Sequence, residues 1–579
     1  MVERAQDSNL FTEVVNWASV RHRRAFALLG LLALLMFLPG FFTLQPMDRD
    51  EPRFAQATKQ MLETHDFVSI RFQDEARNKK PVGIYWLQVA AVSSGEALGI
   101  PEARTQIWLY RLPSLAAAGM TVLLTYWAAL AVTDRRRAIF AGALMAATVL
   151  LGGEAHLAKT DATLTATVVA AFGALARLYL RRVLGWRHAL VFWVAIAVGI
   201  LVKGPITPLI VLLAIAMLSW RERSFHWLKG IRPLVGLALC LALVAPWFIL
   251  IGIKTQGQFF AQAIGDDMLN KVASGQESHG APPLTYFALF WLTGWPLAPL
   301  ALLVAPAVWA ERRNPKVFFL LAWLVPAWIM FELVPTKLAH YVLPLYPALA
   351  ILAARALVPE TMRRADILAL LSRLLAFVPP LALLLAGLAQ WVNTFYPLAG
   401  KFSVSETDAF ALAYLPAVLI LGALALILTW VSRRRLQVAD ADSGISLTVI
   451  SAFLVAVMTY SCVLTTSAFA PFALSQRLAN VSDEARRISG CVNWASATNL
   501  YTEPSLVFLL GTELKFVNAE EAAGFLNEQT CRVAFVEQRN EAAFTAALDA
   551  HIPHVPVQRI AGINLGSGKR LDIGVYVRQ

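Results

Sequence analysis

Five polar stretches of this chain hold acids and bases in combinations suited to moving a group off a phosphate. Asp50 and Glu51 open the run DEPRFAQATKQML, Arg53 follows two residues after the glutamate, and Lys79 and Lys80 precede PVGIYW. The second stretch, GGEAHLAKTDAT, holds Glu154, His156, Lys159 and Asp161. LVKGPITP supplies Lys203, and the stretch from Lys254 to Pro283 contains Asp266, Asp267 and His279. VPTKLAHYVLPLYP adds Lys337, His340 and Tyr341. An ionised carboxylate within reach of a hydroxyl acts as a general base. Arginine grips phosphate oxygens in a bidentate fork and lysine adds a point charge. Such cations stabilise the charge that develops on a leaving phosphate. The residue types therefore suit transfer of a group from a phosphate, without saying what the group is. Plainer roles compete. Asp50 and Asp161 are also good helix caps, and Arg53 and Lys80 also suit headgroup anchoring by snorkelling. His156 and His279 are of metal-ligand type, but nothing completes a ligand set, so a divalent metal is left open.

The elements that must position these residues lie in a membrane. Of 579 residues, 58% are hydrophobic and 15% charged, with mean hydropathy +0.58. Soluble domains carry about 45–50% apolar and about 25% charged residues. That excludes an ordinary cytosolic enzyme, a disordered chain, and a nucleic-acid binder despite the net charge of +12. Apolar runs of spanning length recur at 25–44, 109–132, 137–153, 162–180, 188–202, 205–220, 231–252, 284–308, 317–333, 341–357, 368–392, 411–431 and 444–467. Residues 82–98 read as an interfacial helix. With the N-terminus inside and no cleavage site after the first run, that reading puts the basic clusters at 135–137, 181–187, 221–229, 312–316, 363–364 and 433–435 on the cytoplasmic side. The expected layout is an all-α polytopic domain over 1–467 with about thirteen spans. Its first outer loop, 46–108, carries interfacial helices. The five polar stretches then share the outer face, where each charge is expensive unless paired or wet.

Residues 468–579 change character and read as a small α/β domain on the same outer side. Strand-like runs SLVFLL, LKFVNA, RVAFVEQ and DIGVYVR alternate with helical stretches at 519–528 and 540–550. Cys491 and Cys531, the only cysteines outside the spans, open segments that adjacent strands would bring within bridging range. A disulfide is expected there, in a compartment where such bonds persist. No internal repeat of the kind seen in secondary transporters is visible.

The motif MDRDEPRFAQATKQML…KKPVGIYW resembles the first outer loop of bacterial GT-C membrane glycosyltransferases, the family of protein O-mannosyltransferases and the lipid A aminoarabinose transferase. The likeness runs from about 45 to 350 and returns at YTEPSLVFLLG, with Glu503, and at GINLGSGKRLDIGVYVR. It implies an inverting transferase that moves a sugar from a polyprenyl-phosphate donor. The acceptor would be lipid A, another glycan or a protein, at the outer face of a bacterial inner membrane among its lipids. Carried over by residue, Asp50 is the catalytic base, Glu51 its support and Asp161 the second family aspartate. Arg53, Lys80, Lys203, Lys337, His340 and Tyr341 fall at the donor phosphate. Lys79, Glu154, His156, Asp266, Asp267, His279 and Glu503 are expected to line the substrate. A transporter or flippase for a lipid-linked glycan is the alternative. It would place ionisable residues mid-membrane in discontinuous helices, whereas here the spans read as nearly charge-free.

Overall fold

The computed structural model describes residues 10–46, 50–181, 185–263, 265, 280–395, 409–438, 440–465, 473–564 and 566–578. In lipid, backbone N–H and C=O groups must be satisfied within the protein, so the apolar runs become helices. Among the described residues, seven helices are long and apolar enough to cross a membrane, or nine if two bent pairs each count as one. The protein is a multi-span membrane protein. Helix His22–Phe37 and helix Ile206–Glu222, at 16 and 17 residues, fall just short of that length. Of these seven, helix Asp161–Leu180 is the most enclosed, with 89% of its apolar stretch buried. Phe172 of that helix stacks on Trp323 at 4.3 Å between ring centroids. Whatever sits at its ends is held by the centre of the bundle.

Among the described residues, several of the runs do not form single straight helices. Residues 137–153 form Arg135–Ala146 and Val149–Ala155, bent by 61°. Residues 284–308 divide into Thr285–Thr293 and Leu297–Ala310 at 117°, a broken or re-entrant segment. Gly294 and Pro296 sit in that break, and proline disfavours helix at the residue before it. The two breaks meet: the Val149 N–H donates to the Trp295 carbonyl at 3.0 Å. The run 341–357 starts as the 3-10 turn Ala339–Leu345, around Pro344, before helix Tyr346–Ala356. Between the first two spans, helix Asp50–Thr64 leads to a hairpin of β1 (Arg71–Phe72) and β2 (Glu75–Ala76), then to helix Gly83–Ala97. That last helix has 15 residues. At 1.5 Å per residue this is about 22 Å, too short for a core about 30 Å thick.

The C-terminal unit is a mixed five-stranded sheet with helices. Its strands are β3 (Ala495–Thr498), β4 (Lys515–Phe516), β5 (Arg532–Glu537), β6 (Gln558–Ile563) and β7 (Arg570–Arg578), in the order β4-β3-β5-β7-β6. The β3–β4 and β3–β5 pairs are parallel, and β7 runs antiparallel to both neighbours. The run SLVFLL, expected as a strand, is instead helix Pro504–Leu510, with proline at its first position, where a fixed φ suits a helix start. Asn518 and Glu521 form a capping box that opens helix Ala519–Glu528.

Cys491 and Cys531 are bridged, with Cα atoms 5.7 Å apart. The bridge joins the segment entering β3 to the one entering β5. Closing a loop of this size removes freedom from the unfolded chain. Reduction is expected to cost the C-terminal unit about 2–4 kcal/mol. Chemical denaturation of the whole protein with and without reductant, followed by tryptophan fluorescence of the Trp494 region, checks it. An unchanged midpoint would count against the estimate.

The C-terminal unit grips the first loop. Gln56 donates to Thr512 Oγ1 at 2.7 Å, and the Thr512 hydroxyl donates to Glu63 at 2.8 Å. Gln73 reaches the Thr512 and Leu514 carbonyls. Lys59 donates to the Phe508 carbonyl at 3.2 Å and lies over the Phe508 ring. Burial at this seam pushes the Lys59 pKa down. Phe508 itself packs with Ala55, Leu62, Tyr110 and Ala158.

Candidate active site

The first loop is fixed by one buried ion pair. Glu51 Oε1 accepts from Arg111 Nε at 2.6 Å and from the Ala158 N–H at 2.9 Å, and Oε2 accepts from Arg111 Nη2 at 2.9 Å. Arg111 also donates to the Leu44 and Gln45 carbonyls. Both side chains are fully enclosed. Glu51 therefore ties together the end of the first span, helix Asp50–Thr64, span Ile107–Ala129 and the turn before Asp161. A carboxylate so fully used is a positioning group. Nothing in the motif pointed to Arg111, yet an arginine inside an apolar run is a signal in itself, since it must find a partner.

That clamp brings the first loop beside the turn from Glu154 to Asp161. Asp161 begins its helix and is buried. Lys203 forms an ion pair with Oδ1, His340 Nε2 lies 3.7 Å from Oδ2, and the Thr160 hydroxyl donates to Oδ2 at 3.4 Å. His340 presents its other nitrogen, Nδ1, to Glu154 at 3.5 Å, and Lys159 lies 3.5 Å from the same Glu154 oxygen. Lys203 also sits 4.9 Å over the Tyr341 ring. Glu154, Lys159, Asp161, Lys203, His340 and Tyr341 thus meet in one network drawn from three separate segments. Lys203 is the last residue of helix Trp186–Lys203, which stops at Gly204 with φ 65°. Glycine has no steric penalty there.

Asp50 is the open carboxylate. Its side chain is 43% exposed, against 4% for Asp161. Arg53 Nη1 lies 3.6 Å from it, one helical turn on, and Arg77 Nη2 lies 3.9 Å away. Arg77 was not among the expected site residues. It is nine-tenths buried, stacks over Phe54 at 5.1 Å, and among the described residues leaves its Nε without a hydrogen-bond partner. Lys79 is exposed and Lys80 half-buried. Their segment lies against the Lys203 helix, because a Cβ on Gly83 would stand 2.7 Å from the Leu201 carbonyl oxygen. Only glycine permits that approach.

Other expected residues stand elsewhere. Lys337 turns back on its own helix end, donating to the Phe331, Glu332 and Val334 carbonyls at 3.2, 2.8 and 2.7 Å. All three ammonium protons are spent there, as a cap on helix Pro315–Leu333. Both ring nitrogens of His156 face carbonyls, of Gly152 at 2.7 Å and Pro39 at 2.9 Å, so it pins a turn instead of lining a substrate. Glu503 lies in the C-terminal unit, accepting from the Gly566 N–H at 3.1 Å. It lines a cleft of about 370 Å³ with Arg539, Asn564 and Lys569. Asp266, Asp267 and His279 lie outside the described residues. Among the described residues, no group of three or more His, Cys, Asp or Glu side chains is placed to hold a metal ion.

The fold has a solved counterpart. The chain superposes on the crystal structure of ArnT from Cupriavidus metallidurans bound to undecaprenyl phosphate with a TM-score of 0.71. The match covers 95% of this chain and 97% of that one at 18% identity. The chain has the ArnT fold. It is a GT-C membrane architecture with a small C-terminal sheet unit, as expected from the first-loop resemblance and from the strand-like runs after residue 468. Sequence likenesses point the same way. The family model described as dolichyl-phosphate-mannose-protein mannosyltransferase matches residues 100–250. The undecaprenyl phosphate-alpha-4-amino-4-deoxy-L-arabinose arabinosyl transferase of Pseudomonas paraeruginosa is 30% identical over 353 residues, 58% of this chain and 61% of the relative. The same-named protein of Erwinia tasmaniensis is 27% identical over 376 residues, 63% of this chain and 66% of the relative. The matches thus span about three-fifths to two-thirds of those relatives' length.

Proposed function

We propose that the protein is an inverting glycosyltransferase that takes a sugar from a polyprenyl-phosphate donor at the outer face of a bacterial inner membrane. The observation that carries this is the contrast between the two aspartates. Asp50 is open and flanked by Arg53 and Arg77, beside a buried network in which Asp161 fixes Lys203. On an ArnT-like fold, whose named relatives act on undecaprenyl phosphate-linked aminoarabinose, that contrast divides the labour. Asp50 takes the proton from an acceptor hydroxyl as its oxygen attacks the anomeric carbon. The bond from that carbon to the phosphate oxygen breaks, and its electron pair stays on the lipid phosphate. Arg53, Lys80 and Lys203 stabilise that charge, with Tyr341 against Lys203. Glu51 and Asp161 hold the machinery in place. The acceptor is a lipid such as lipid A, another glycan or a protein hydroxyl. The C-terminal unit and the first loop then lie together on the outer side.

The test is transfer by the purified protein in lipid nanodiscs, given polyprenyl-phosphate sugars and read by mass spectrometry. Comparing lipids and surface glycans of a deletion strain with its parent identifies the acceptor. Arg53→Ala and Lys80→Ala are expected to weaken donor binding more than acceptor binding, each charge-assisted contact being worth roughly 1.5–3 kcal/mol. Unchanged donor affinity in both variants, titrated with a lipid-phosphate sugar, would remove them from the phosphate site.

A further inference from the structure

At the end of the Asp161–Leu180 helix remote from Asp161, a second concentration of cations surrounds a cavity of about 510 Å³. His22, Phe26, Trp127, Leu130, Thr133, Arg135, Arg177 and Arg181 form its walls. Sixteen residues separate Asp161 from Arg177, about 24 Å along a helix, so this pocket faces the opposite side of the membrane from the candidate active site.

Among the described residues no carboxylate neutralises its charge. Arg177 is only 8% exposed. It donates to the Gly173 and Trp127 carbonyls and lies 4.0 Å over the Trp127 ring. Arg181 donates to the Leu130 carbonyl. Arg135 donates to the Ser19 carbonyl and meets His22 Nε2 at 3.3 Å. Among the described residues none of these three arginines is paired with a carboxylate, whereas neighbouring Arg136 pairs with Asp442 and Arg137 with Asp134. Carbonyl bonds satisfy N–H groups but leave the positive charge, and a buried cation without a counter-charge is costly. Arg135 also begins its helix, the end where the helix dipole disfavours a cation. Two donors remain unused in this place: among the described residues, Arg135 Nε and the Thr133 hydroxyl are buried without a hydrogen-bond partner. Capping of helix ends explains the carbonyl bonds. It does not explain a cavity, three uncompensated guanidinium groups and two idle donors together.

We propose that this pocket binds a phosphate group, supplied by an anionic phospholipid of that leaflet. Guanidinium groups converging from two helices match phosphate oxygens, and an anion there completes the charge balance of Arg135, Arg177 and Arg181. The lipid source follows from the rim. Phe26 is exposed at the pocket, and Leu31, Leu34 and Leu35 continue along the exposed side of the same helix, a track for an acyl chain.

The protein is reconstituted in nanodiscs of phosphatidylcholine with or without phosphatidylglycerol, and retained lipid is counted by native mass spectrometry. The wild type is expected to retain phosphatidylglycerol about tenfold or more over phosphatidylcholine, the preference that one charge-assisted contact supplies. Arg181→Gln, at the exposed rim, and the pair Arg135→Gln with Arg177→Gln are expected to lose it. Arg312→Gln, on a distant loop, is expected to keep it. Should the paired variant fail to fold, Arg181→Gln and Thr133→Val, which leaves every cation in place, carry the test. Equal retention of both lipids by the wild type overturns the proposal. So does a preference that survives in Arg181→Gln and Thr133→Val. Inorganic phosphate that competes with bound phosphatidylglycerol supports the shared phosphate recognition. Stabilisation by inorganic phosphate with no phosphatidylglycerol retained overturns the lipid source.

Discussion

Asp50→Asn is expected to cut sugar transfer by about 10²–10⁴-fold, the usual loss on removing a general base, while the protein still inserts and binds donor. The substitution keeps the shape of the side chain and removes only its charge. Asp50 is open to solvent on one side, so water partly replaces the charge it presents to Arg53 and Arg77, which remain beside it. The measurement is single-turnover transfer alongside donor titration. More than about a tenth of wild-type turnover would remove Asp50 from the base role. Asp161→Asn should behave differently. It strips the buried Lys203 of its counter-charge, so donor affinity and thermal stability fall along with turnover.

The second large effect is structural. Arg111→Ala strips Glu51, a buried carboxylate that also accepts from the Ala158 N–H, of its guanidinium partner. Removing one partner of a buried pair typically costs about 3–5 kcal/mol. A sharp fall in melting temperature in detergent, with loss of activity, is the expected outcome. Replacing both members together, Glu51→Leu with Arg111→Met, is expected to recover much of the stability, because no charge is then left stranded. Activity should not return, since the anchor of Asp50 to the Ala158 turn is gone. Equal losses in the single and double variants would show that the pair contributes only through packing. A double-mutant cycle isolates the coupling.

What could be read in advance followed residue type. Glu154, Asp161, Lys203, His340 and Tyr341 stood out because charged and aromatic groups flanked by apolar runs demand an explanation, and the fold brings them together. Residues 82–98 were set apart from the spans by charge sidedness, and their helix has 15 residues. What escaped depended on direction. Lys337 and His340 lie three residues apart, yet one caps its own helix and the other bridges two carboxylates; spacing alone does not say which way a side chain turns. Arg111 was hidden inside an apolar run, and Arg77 among neighbouring cations. SLVFLL read as a strand because a short apolar run has no period to tell it from a helix, although Glu503-Pro504 before it is a helix-start signal. The break at 293–296 interrupts a stretch whose hydropathy is continuous, so only Gly294 and Pro296 marked it.

Helix Asp50–Thr64 carries the open carboxylate at its first residue, while Gln56, Lys59 and Glu63 bind the C-terminal unit farther along. One rigid rod thus serves two masters. The tail is not an interchangeable accessory: a chimaera that swaps residues 473–578 alone would set a foreign surface against the rod and tilt the Asp50 carboxylate. The helix and the tail are expected to be inherited as a unit, and grafts between relatives to succeed only when both travel together.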